Sequence, residues 1–355
     1  MRILLLNWRD IKNPSAGGAE INTYETLRHL AKTHEVWQFS SAFPGCKKEE
    51  RYDGINVIRR GNFLTVYFWA FWEYFRRFRG KVDIVVDECN TLPFFTPMYV
   101  KGKKIFFIHQ MAREFWDLEV AFPFSKIGKM LEPFFIRMYR KTKTITVTES
   151  FKKELEEMGF FDVGVVLSGS SIKPLEKMPP KQKEPLVVFL GRLKRAKKPD
   201  DALAAMKKIH EKIPSMQGII MGEGYLREEI GKNAPEYVQV LGKVAQQRKV
   251  EILKSASLLL VPGVREGWGL VVIEANSFGT PCVGYGIDGL RDSIVDGKTG
   301  VLVECNPDAM ADAAVKMLQD GKRRRELGEN CLEWSRNFSW EKSAKGFQKI
   351  IEAPF

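Results

Sequence analysis

The sequence predicts two doubly wound α/β domains. Three observations lead there. Apolar runs of strand length alternate with segments of helical period along most of the chain. One turn-rich linker interrupts that alternation, and it restarts afterwards. A length of 355 residues suits two domains at about 150 residues each.

In the first half, Ile3–Leu6 reads as a short buried strand. Ile21, Tyr24, Leu27 and Leu30 recur at helical spacing, and Glu35–Phe39 forms the next strand. Further strands are expected at Val82–Val86, Lys104–Ile108 and Thr144–Val147, with helices near 65–79, 126–141 and 150–158. Residues 168–184, from Ser-Gly-Ser-Ser to Met-Pro-Pro-Lys-Gln-Lys-Glu, are polar and rich in turn formers, the mark of a domain boundary. Beyond it, strands are expected at Leu186–Leu190, Gly218–Met221, Tyr237–Leu241, Ser257–Val261 and Cys282–Gly284. Helices are expected at 199–212, where Pro199 suits a first turn, and at 246–255, 269–279, 307–319 and 322–335. Strand–helix alternation on both sides of a linker is the pattern of two parallel-sheet domains.

Composition narrows the function classes. The chain is 44% hydrophobic and 28% charged, which excludes a disordered or collagen-like protein. Five scattered cysteines without C-x-x-C spacing read as reduced thiols in a cytosolic setting. Met1–Asn7 runs straight into Trp8-Arg9-Asp10, so no signal peptide is read there. The four histidines form no H-E-x-x-H, and no Asp-x-Asp occurs, so no metal site is expected.

The net charge is +12. Residues 1–180 carry +7, residues 181–200 carry +5, and the remainder is neutral. Such an excess points to an anionic partner without saying which.

Several stretches carry chemistry. In Arg265-Glu266-Gly267-Trp268-Gly269-Leu270-Val271-Val272-Ile273-Glu274-Ala275, a strand end leads into a helix. Gly267 and Gly269 allow close backbone approach, and the N–H groups of Gly269, Leu270 and Val271 offer an anion site. Glu266 and Glu274 would repel a bare phosphate but accept hydrogen bonds from sugar hydroxyls. A Gly-rich turn with two incidental glutamates also fits those residues.

In Gly191-Arg192-Leu193-Lys194-Arg195-Ala196-Lys197-Lys198, five cations fall within seven residues at a strand end. That suits a diphosphate clamp, and equally a solvated basic turn. Gly222-Glu223-Gly224 lacks the third glycine of a dinucleotide fingerprint and reads best as a tight turn. Gly17-Gly18-Ala19-Glu20 opens a helix, and His109 follows a strand at the carboxyl edge where open α/β sheets bind ligands.

Together these residues resemble the family-4 retaining glycosyltransferases. Glu266 and Glu274 look like the family's Glu-x7-Glu signature, and Gly191-Arg192 with Lys197 looks like its Gly-Arg…Lys element. Gly279-Thr280-Pro281-Cys282-Val283, Gly289-Leu290 and Asp296-Gly297-Lys298-Thr299-Gly300 match its downstream pattern, and Phe338-Ser339-Trp340-Glu341 its last helix. Trp268 stands where Phe is common, Asn276 and Ser277 replace a more apolar pair, and Leu167-Ser168-Gly169-Ser170 lacks a usual Asn-Gly.

The resemblance implies a GT-B fold: two facing Rossmann-like domains with the active site in the interdomain cleft. The first spans 1–172 with a C-terminal helix, 338–355, packing back on it. The linker spans 173–184, and the donor domain 185–337. It further implies a hexosyltransferase moving a sugar from a UDP- or GDP-sugar to an acceptor hydroxyl with retention, by front-side attack and without a metal or other cofactor. Arg192 and Lys197, with the amides at 269–271, would bind the leaving diphosphate. Glu266 would hold the donor sugar, Glu274 the ribose, and His109 the reacting centre. Gly17 and Gly18 would approach the phosphates.

Phe63–Phe78 carries nine aromatics in sixteen residues, followed by Arg76, Arg77, Arg79 and Lys81 within and beyond it. This segment suits either a membrane–water interface or a helix packed on the first sheet. The first choice implies a lipid or lipid-linked acceptor in glycan biosynthesis, on the cytoplasmic face of an anionic membrane. Two other functions fit less well: an epimerase of the same fold, whose extra acid–base carboxylates are not found, and a nucleic-acid binder, for which no motif is found.

Overall fold

The computed structural model describes residues 1–354; Phe355, the last residue of the expected 338–355 segment, lies outside them. Contacts divide the chain into two units. One comprises Met1–Arg113, Phe122–Gly169 and the segment from Ser339; the other comprises Glu114–Ala121 and Ser170–Phe338. The 1–172 range is thus interrupted, because Glu114–Ala121 packs with the second unit.

From the amino terminus, the elements are β1 (Arg2–Leu6), α1 (Gly18–Leu30), β2 (Glu35–Ser40), β3 (Glu49–Tyr52), β4 (Ile55–Arg59), α2 (Val66–Glu73), β5 (Ile84–Cys89), β6 (Lys104–Ile108), α3 (Glu114–Glu119), α4 (Phe124–Arg137), β7 (Lys143–Thr146), α5 (Glu149–Glu157) and β8 (Val163–Val165). Then follow β9 (Leu186–Leu190), α6 (Pro199–Lys212), β10 (Gln217–Met221), α7 (Arg227–Asn233), β11 (Val238–Gly242), α8 (Gln246–Ser255), β12 (Leu258–Val261), α9 (Leu270–Asn276), β13 (Cys282–Tyr285), α10 (Leu290–Ser293), β14 (Gly300–Val303), α11 (Pro307–Gln319), α12 (Gly321–Ser335) and α13 (Trp340–Glu352).

The first sheet runs β3-β4-β2-β1-β5-β6-β7-β8, parallel except for the β3–β4 hairpin. Strand order reverses at β1, so the loops after β1 and β5 meet at the switch point where such sheets bind ligands. Right-handed crossovers put α2, α4 and α5 on one face and α1 on the other. Helix α13 packs along α1. Its start abuts Gly169, where a Cβ would lie 2.4 Å from the Trp340 nitrogen.

Four differences from the sequence reading have physical causes. β3 is a charged edge strand without apolar alternation, joined to the buried β4 by a turn at Asp53 and Gly54, both at positive φ. β5 starts later than expected and extends to Cys89, so Asp87 and Glu88 are buried strand residues rather than loop. The aromatic helix ends at Glu73 and gives way to a π-helical turn over Tyr74–Phe78. The helix expected at 269–279 spans only Leu270–Asn276.

Two buried carboxylates organise the first unit. Asp10, in the loop after β1, pairs with both faces of the Arg59 fork, Nε–Oδ2 2.6 Å and Nη2–Oδ1 2.8 Å. Neither residue is more than 1% exposed. Asp87 accepts from the Phe94 and Thr96 amides and from the Thr96 and Tyr139 hydroxyls, which orders the 90–99 loop. Burial raises its pKa against those donors.

The second sheet runs β11-β10-β9-β12-β13-β14, parallel throughout. Its switch point lies between β9 and β12, so the loops after those strands are neighbours. The linker is tied to this unit. Lys181 donates to the carbonyls of Lys254 and Phe278 and to the Thr280 hydroxyl at 3.1, 3.0 and 2.7 Å. Burial lowers its pKa to about 7.

Candidate active site

In the second unit, the basic loop leaves β9 at Gly191. Its path is set by the G-x-G turn after β10, which is a packing device. The Gly191 and Leu193 amides donate to the Met221 and Glu223 carbonyls at 3.0 and 2.9 Å. A Cβ on Gly222 would lie 1.7 Å from the Gly191 carbonyl oxygen, and one on Gly224 2.1 Å from that of Leu193. Only glycine allows this approach. Arg192 is held exposed at the top of the strand.

The loop then forms a single 3-10 turn, Arg195–Lys197, which supports the cations. Its amides are held from outside. Glu119 of α3 accepts from the Ala196 amide at 3.0 Å and from the Tyr225 hydroxyl at 3.0 Å, and that hydroxyl accepts from the Arg195 amide. Neither Glu119 nor Tyr225 was singled out from sequence, since no local spacing connects them to this loop.

Lys197 crosses to the neighbouring loop. Its ammonium lies 2.5 Å from Glu266 Oε1 and 3.3 Å from the Arg265 carbonyl. The two carriers of the expected Gly-Arg…Lys and Glu-x7-Glu signatures are therefore joined directly. The loop carrying Glu266 is backed by Gly289, at φ +83°, where a Cβ would come within 2.2 Å of the Glu266 carbonyl oxygen and 3.0 Å of the Gly267 carbon.

Gly269 follows at φ +82° and leads into α9. Leu270 and Val271 lie in that helix's first turn, where backbone N–H groups have no helical carbonyl to bind. Trp268 is buried against Phe338, ring centroids 5.2 Å apart, which accounts for an aromatic side chain at that position. Glu274 takes no part in the Lys197–Glu266 pair. It accepts from Lys249 of α8 at 2.7 Å, a partner sequence reasoning missed.

The first unit holds the remaining candidates. Gly17 and Gly18 open α1. The Gly17 amide donates to Glu20 Oε2 at 2.6 Å, and Glu20 Oε1 accepts from Arg9 Nε at 2.9 Å. The helix start is thus already satisfied in part by its own buried carboxylate.

His109 follows β6, 8% exposed, with its ring centroid 4.4 Å from that of Phe107. Its Nε2 lies 2.9 Å from Oε1 of Glu88, which is buried at the end of β5 and receives the Thr23 hydroxyl at 2.6 Å. Burial raises the Glu88 pKa, and the His109 bond opposes that rise. A carboxylate at Nε2 fixes the ring and places the proton of a neutral imidazole on that nitrogen. Glu88 was not singled out from sequence because the expected strand ends at Val86, which leaves Asp87 and Glu88 reading as loop. Among the described residues, no group of three or more His, Cys, Asp or Glu side chains is placed to hold a metal ion.

Comparison with known proteins follows this division. Residues 16–168 match the family model described as Glycosyltransferase Family 4, and residues 173–334 match Glycosyl transferases group 1. The chain is 30% identical over 177 residues to the D-inositol 3-phosphate glycosyltransferase of Corynebacterium diphtheriae. That match covers 46% of this chain and 42% of the relative, so the chain spans about two-fifths of that relative's length.

Two solved structures share the fold. Sucrose-phosphate synthase from Thermosynechococcus elongatus superposes with a TM-score of 0.78 at 20% identity, over 98% of each chain. Anabaena HepE, solved in complex with UDP-glucose, gives 0.71 at 14% identity, over 99% of this chain and 98% of that one. With family matches running from residue 16 to residue 334 around a short gap at the linker, the chain belongs to the family-4-type glycosyltransferases and has the GT-B fold.

Proposed function

We propose that this glycosyltransferase moves a hexosyl group from a UDP- or GDP-sugar to an acceptor hydroxyl with retention of anomeric configuration, without a metal. The observation that carries the reading is the Lys197–Glu266 pair, which joins two loops at the carboxyl edge of the second sheet. A diphosphate competes for Lys197 and leaves Glu266 to accept hydrogen bonds from sugar hydroxyls.

In the step itself, the bond from the anomeric carbon to the phosphate oxygen breaks. The bond to the acceptor oxygen forms on the same face, and the acceptor proton passes to the departing phosphate. Arg192, Lys197 and the amides at 269–271 take up the charge on the diphosphate, the part a divalent cation plays elsewhere. Glu274 receives the ribose hydroxyls, and His109, oriented by Glu88, contacts the sugar. The complex of HepE with UDP-glucose supports the donor class.

The test is a panel of nucleotide sugars read by thermal stabilisation. One donor at a hundred times its Kd is expected to stabilise the wild type by about 2.7 kcal/mol, and Lys197→Ala to abolish that gain. Wild-type protein that no nucleotide sugar stabilises, and that transfers none of their sugars, overturns the reading.

We further propose a lipid or lipid-linked acceptor, reached with the first unit docked on the cytoplasmic face of an anionic membrane. The 63–81 segment divides as its composition allows. Val66, Ala70, Tyr74 and Phe78 pack on the sheet, while Phe63, Phe68 and Trp72 are 63%, 62% and 51% exposed. Arg77 is held by Glu49 and Glu73 at 2.7 and 2.8 Å, whereas Arg76 lies 3.3 Å from Glu73 with its side chain 49% exposed.

A cationic edge also comes from α4, whose Ile136 packs in the core while several of its other apolar residues lie outward. Its only acid, Glu132, is buried and accepts from the Ala112 and Arg113 amides, whereas Phe124, Met130 and Phe134 are exposed. Lys126, Lys129 and Arg137 run along one side of that apolar crest. An apolar crest beside a row of cations matches an anionic lipid interface. Among the described residues, no helix is long and apolar enough to cross a membrane.

Phe124→Ser/Met130→Ser/Phe134→Ser is expected to lower co-sedimentation with phosphatidylglycerol vesicles about tenfold, the equivalent of about 1.4 kcal/mol. Wild-type protein that ignores such vesicles, or a variant that binds them unchanged, removes the docking surface.

A further inference from the structure

A cavity of about 300 Å³ opens at the amino-terminal edge of the first sheet, the edge opposite the candidate residues. It lies where β5 and β6 begin. Its walls include the rings of Tyr74, Phe75 and Tyr99, and its rim carries Arg79, Lys101 and Lys103. No carboxylate lines it.

Three further observations mark it as more than a packing gap. Tyr74 and Phe75 reach it from the π-helical turn, a rare distortion that recurs at functional sites. The Tyr99 hydroxyl is shielded from solvent with no hydrogen-bond partner, and burial raises its pKa, so it stays a phenol able to donate. A Cβ on Gly80 or on Gly102 would meet nothing within 4 Å, so the backbone beside the cations is open.

The apolar wall is continuous with the exposed face of α2. The Phe71 and Phe75 rings are 4.7 Å apart, and Phe71, Tyr74 and Phe75 lie 5.2, 5.5 and 6.3 Å from Tyr99. Phe71 is 41% exposed and Phe75 38%, so the ring cluster runs from the outer surface into the cavity.

We propose that this cavity binds a single anionic amphiphile, with a phosphate head at Arg79 and Lys101 and an apolar chain along Tyr74, Phe75 and Tyr99. Cations alone would take any phosphate, and the rings alone any apolar chain. The juxtaposition selects a molecule carrying both. Such an occupant leaves a lipid surface through the ring cluster while its head stays in charge contact. The site is separate from the donor loops and does not rest on their assignment. Monomeric lipid tests it apart from the vesicle docking above.

The experiment titrates the full-length chain with dihexanoyl phosphatidylglycerol below its micellar concentration, followed by calorimetry. Dihexanoyl phosphatidylcholine and inorganic phosphate are run alongside. Saturable binding of the anionic lipid is expected, with the other two at least about tenfold weaker. Gly102→Leu fills open space and is expected to weaken binding about tenfold, as is Arg79→Ala/Lys101→Ala, each with the wild-type melting temperature and donor stabilisation retained. Equal affinity for inorganic phosphate reduces the cavity to a simple anion site. Equal affinity for phosphatidylcholine removes the role of the cations. Either result, or both variants binding as wild type, overturns the proposal.

Discussion

Replacing Lys197 by Ala is expected to lower kcat for sugar transfer by about 10²–10³-fold while leaving the fold intact. The size follows from where the charge sits. In the proposed reaction Lys197 meets negative charge that grows as the diphosphate departs, so its contribution is larger in the transition state than in the ground state. The stability effect is small for the opposite reason. The side chains of Lys197 and Glu266 are 24% and 14% exposed, at the mouth of a loop where water competes for both.

Glu266→Gln is the informative companion. It keeps an oxygen for sugar hydroxyls but releases Lys197, so a structural role for the pair would make the two variants equally unstable. Steady-state kinetics with thermal melts of both variants separate the cases. Wild-type turnover in Lys197→Ala takes the residue out of the site. A large loss of melting temperature with unchanged turnover assigns the pair to the fold instead.

Asp10→Ala is expected to destabilise the first unit by about 3–5 kcal/mol. The guanidinium of Arg59 has no exposed side-chain surface, and Asp10 supplies two of its charge-assisted bonds. Removal leaves Arg59 with Glu50, at 2.6 Å, and the Lys47 carbonyl, at 3.0 Å. A buried cation short of partners is among the costlier single defects a core can carry.

The melting temperature is expected to fall by roughly 10 °C, at about 2–4 °C per kcal/mol for a unit of this size. Asp10→Leu/Arg59→Met removes both charges and is expected to recover most of the loss. Urea unfolding of the three proteins checks this. A single variant within about 1 kcal/mol of wild type shows that Glu50 and the Lys47 carbonyl suffice for the guanidinium and overturns the expectation.

The fold was legible where local chemistry decides it. Leu186–Leu190 and Lys104–Ile108 are apolar runs that belong only inside a parallel sheet, and both strands begin and end as expected. Pro199 and Pro307 occupy first helical turns, and those helices match to the residue. The β3 strand was missed because Glu49-Glu50-Arg51-Tyr52 is an edge that buries little, although Asp53-Gly54 carried the hairpin signal.

The candidate residues themselves follow strand ends, so local spacing located them. Their partners did not follow from spacing. Glu88 reaches His109 from 21 residues away, Lys249 reaches Glu274 from 25, and Glu119 reaches Ala196 from 77. Such pairs exist only once the strand order is known. The outward apolar residues of α4 were hidden for a related reason: the spacing of Phe124, Met130, Phe134 and Ile136 does not say which of them meet the sheet.

The path of the chain has a practical consequence for hybrids of related transferases. It passes between units at Arg113–Glu114, Ala121–Phe122, Gly169–Ser170 and Phe338–Ser339. A hybrid joined only at the linker would set one parent's α3 beneath the other parent's basic loop, with Glu119 facing amides it did not evolve beside. It would also set one parent's α13 against the other's α1. Exchanging the second unit therefore means carrying Glu114–Ala121 with it and leaving the segment from Ser339 behind, so the natural cut points are four rather than one.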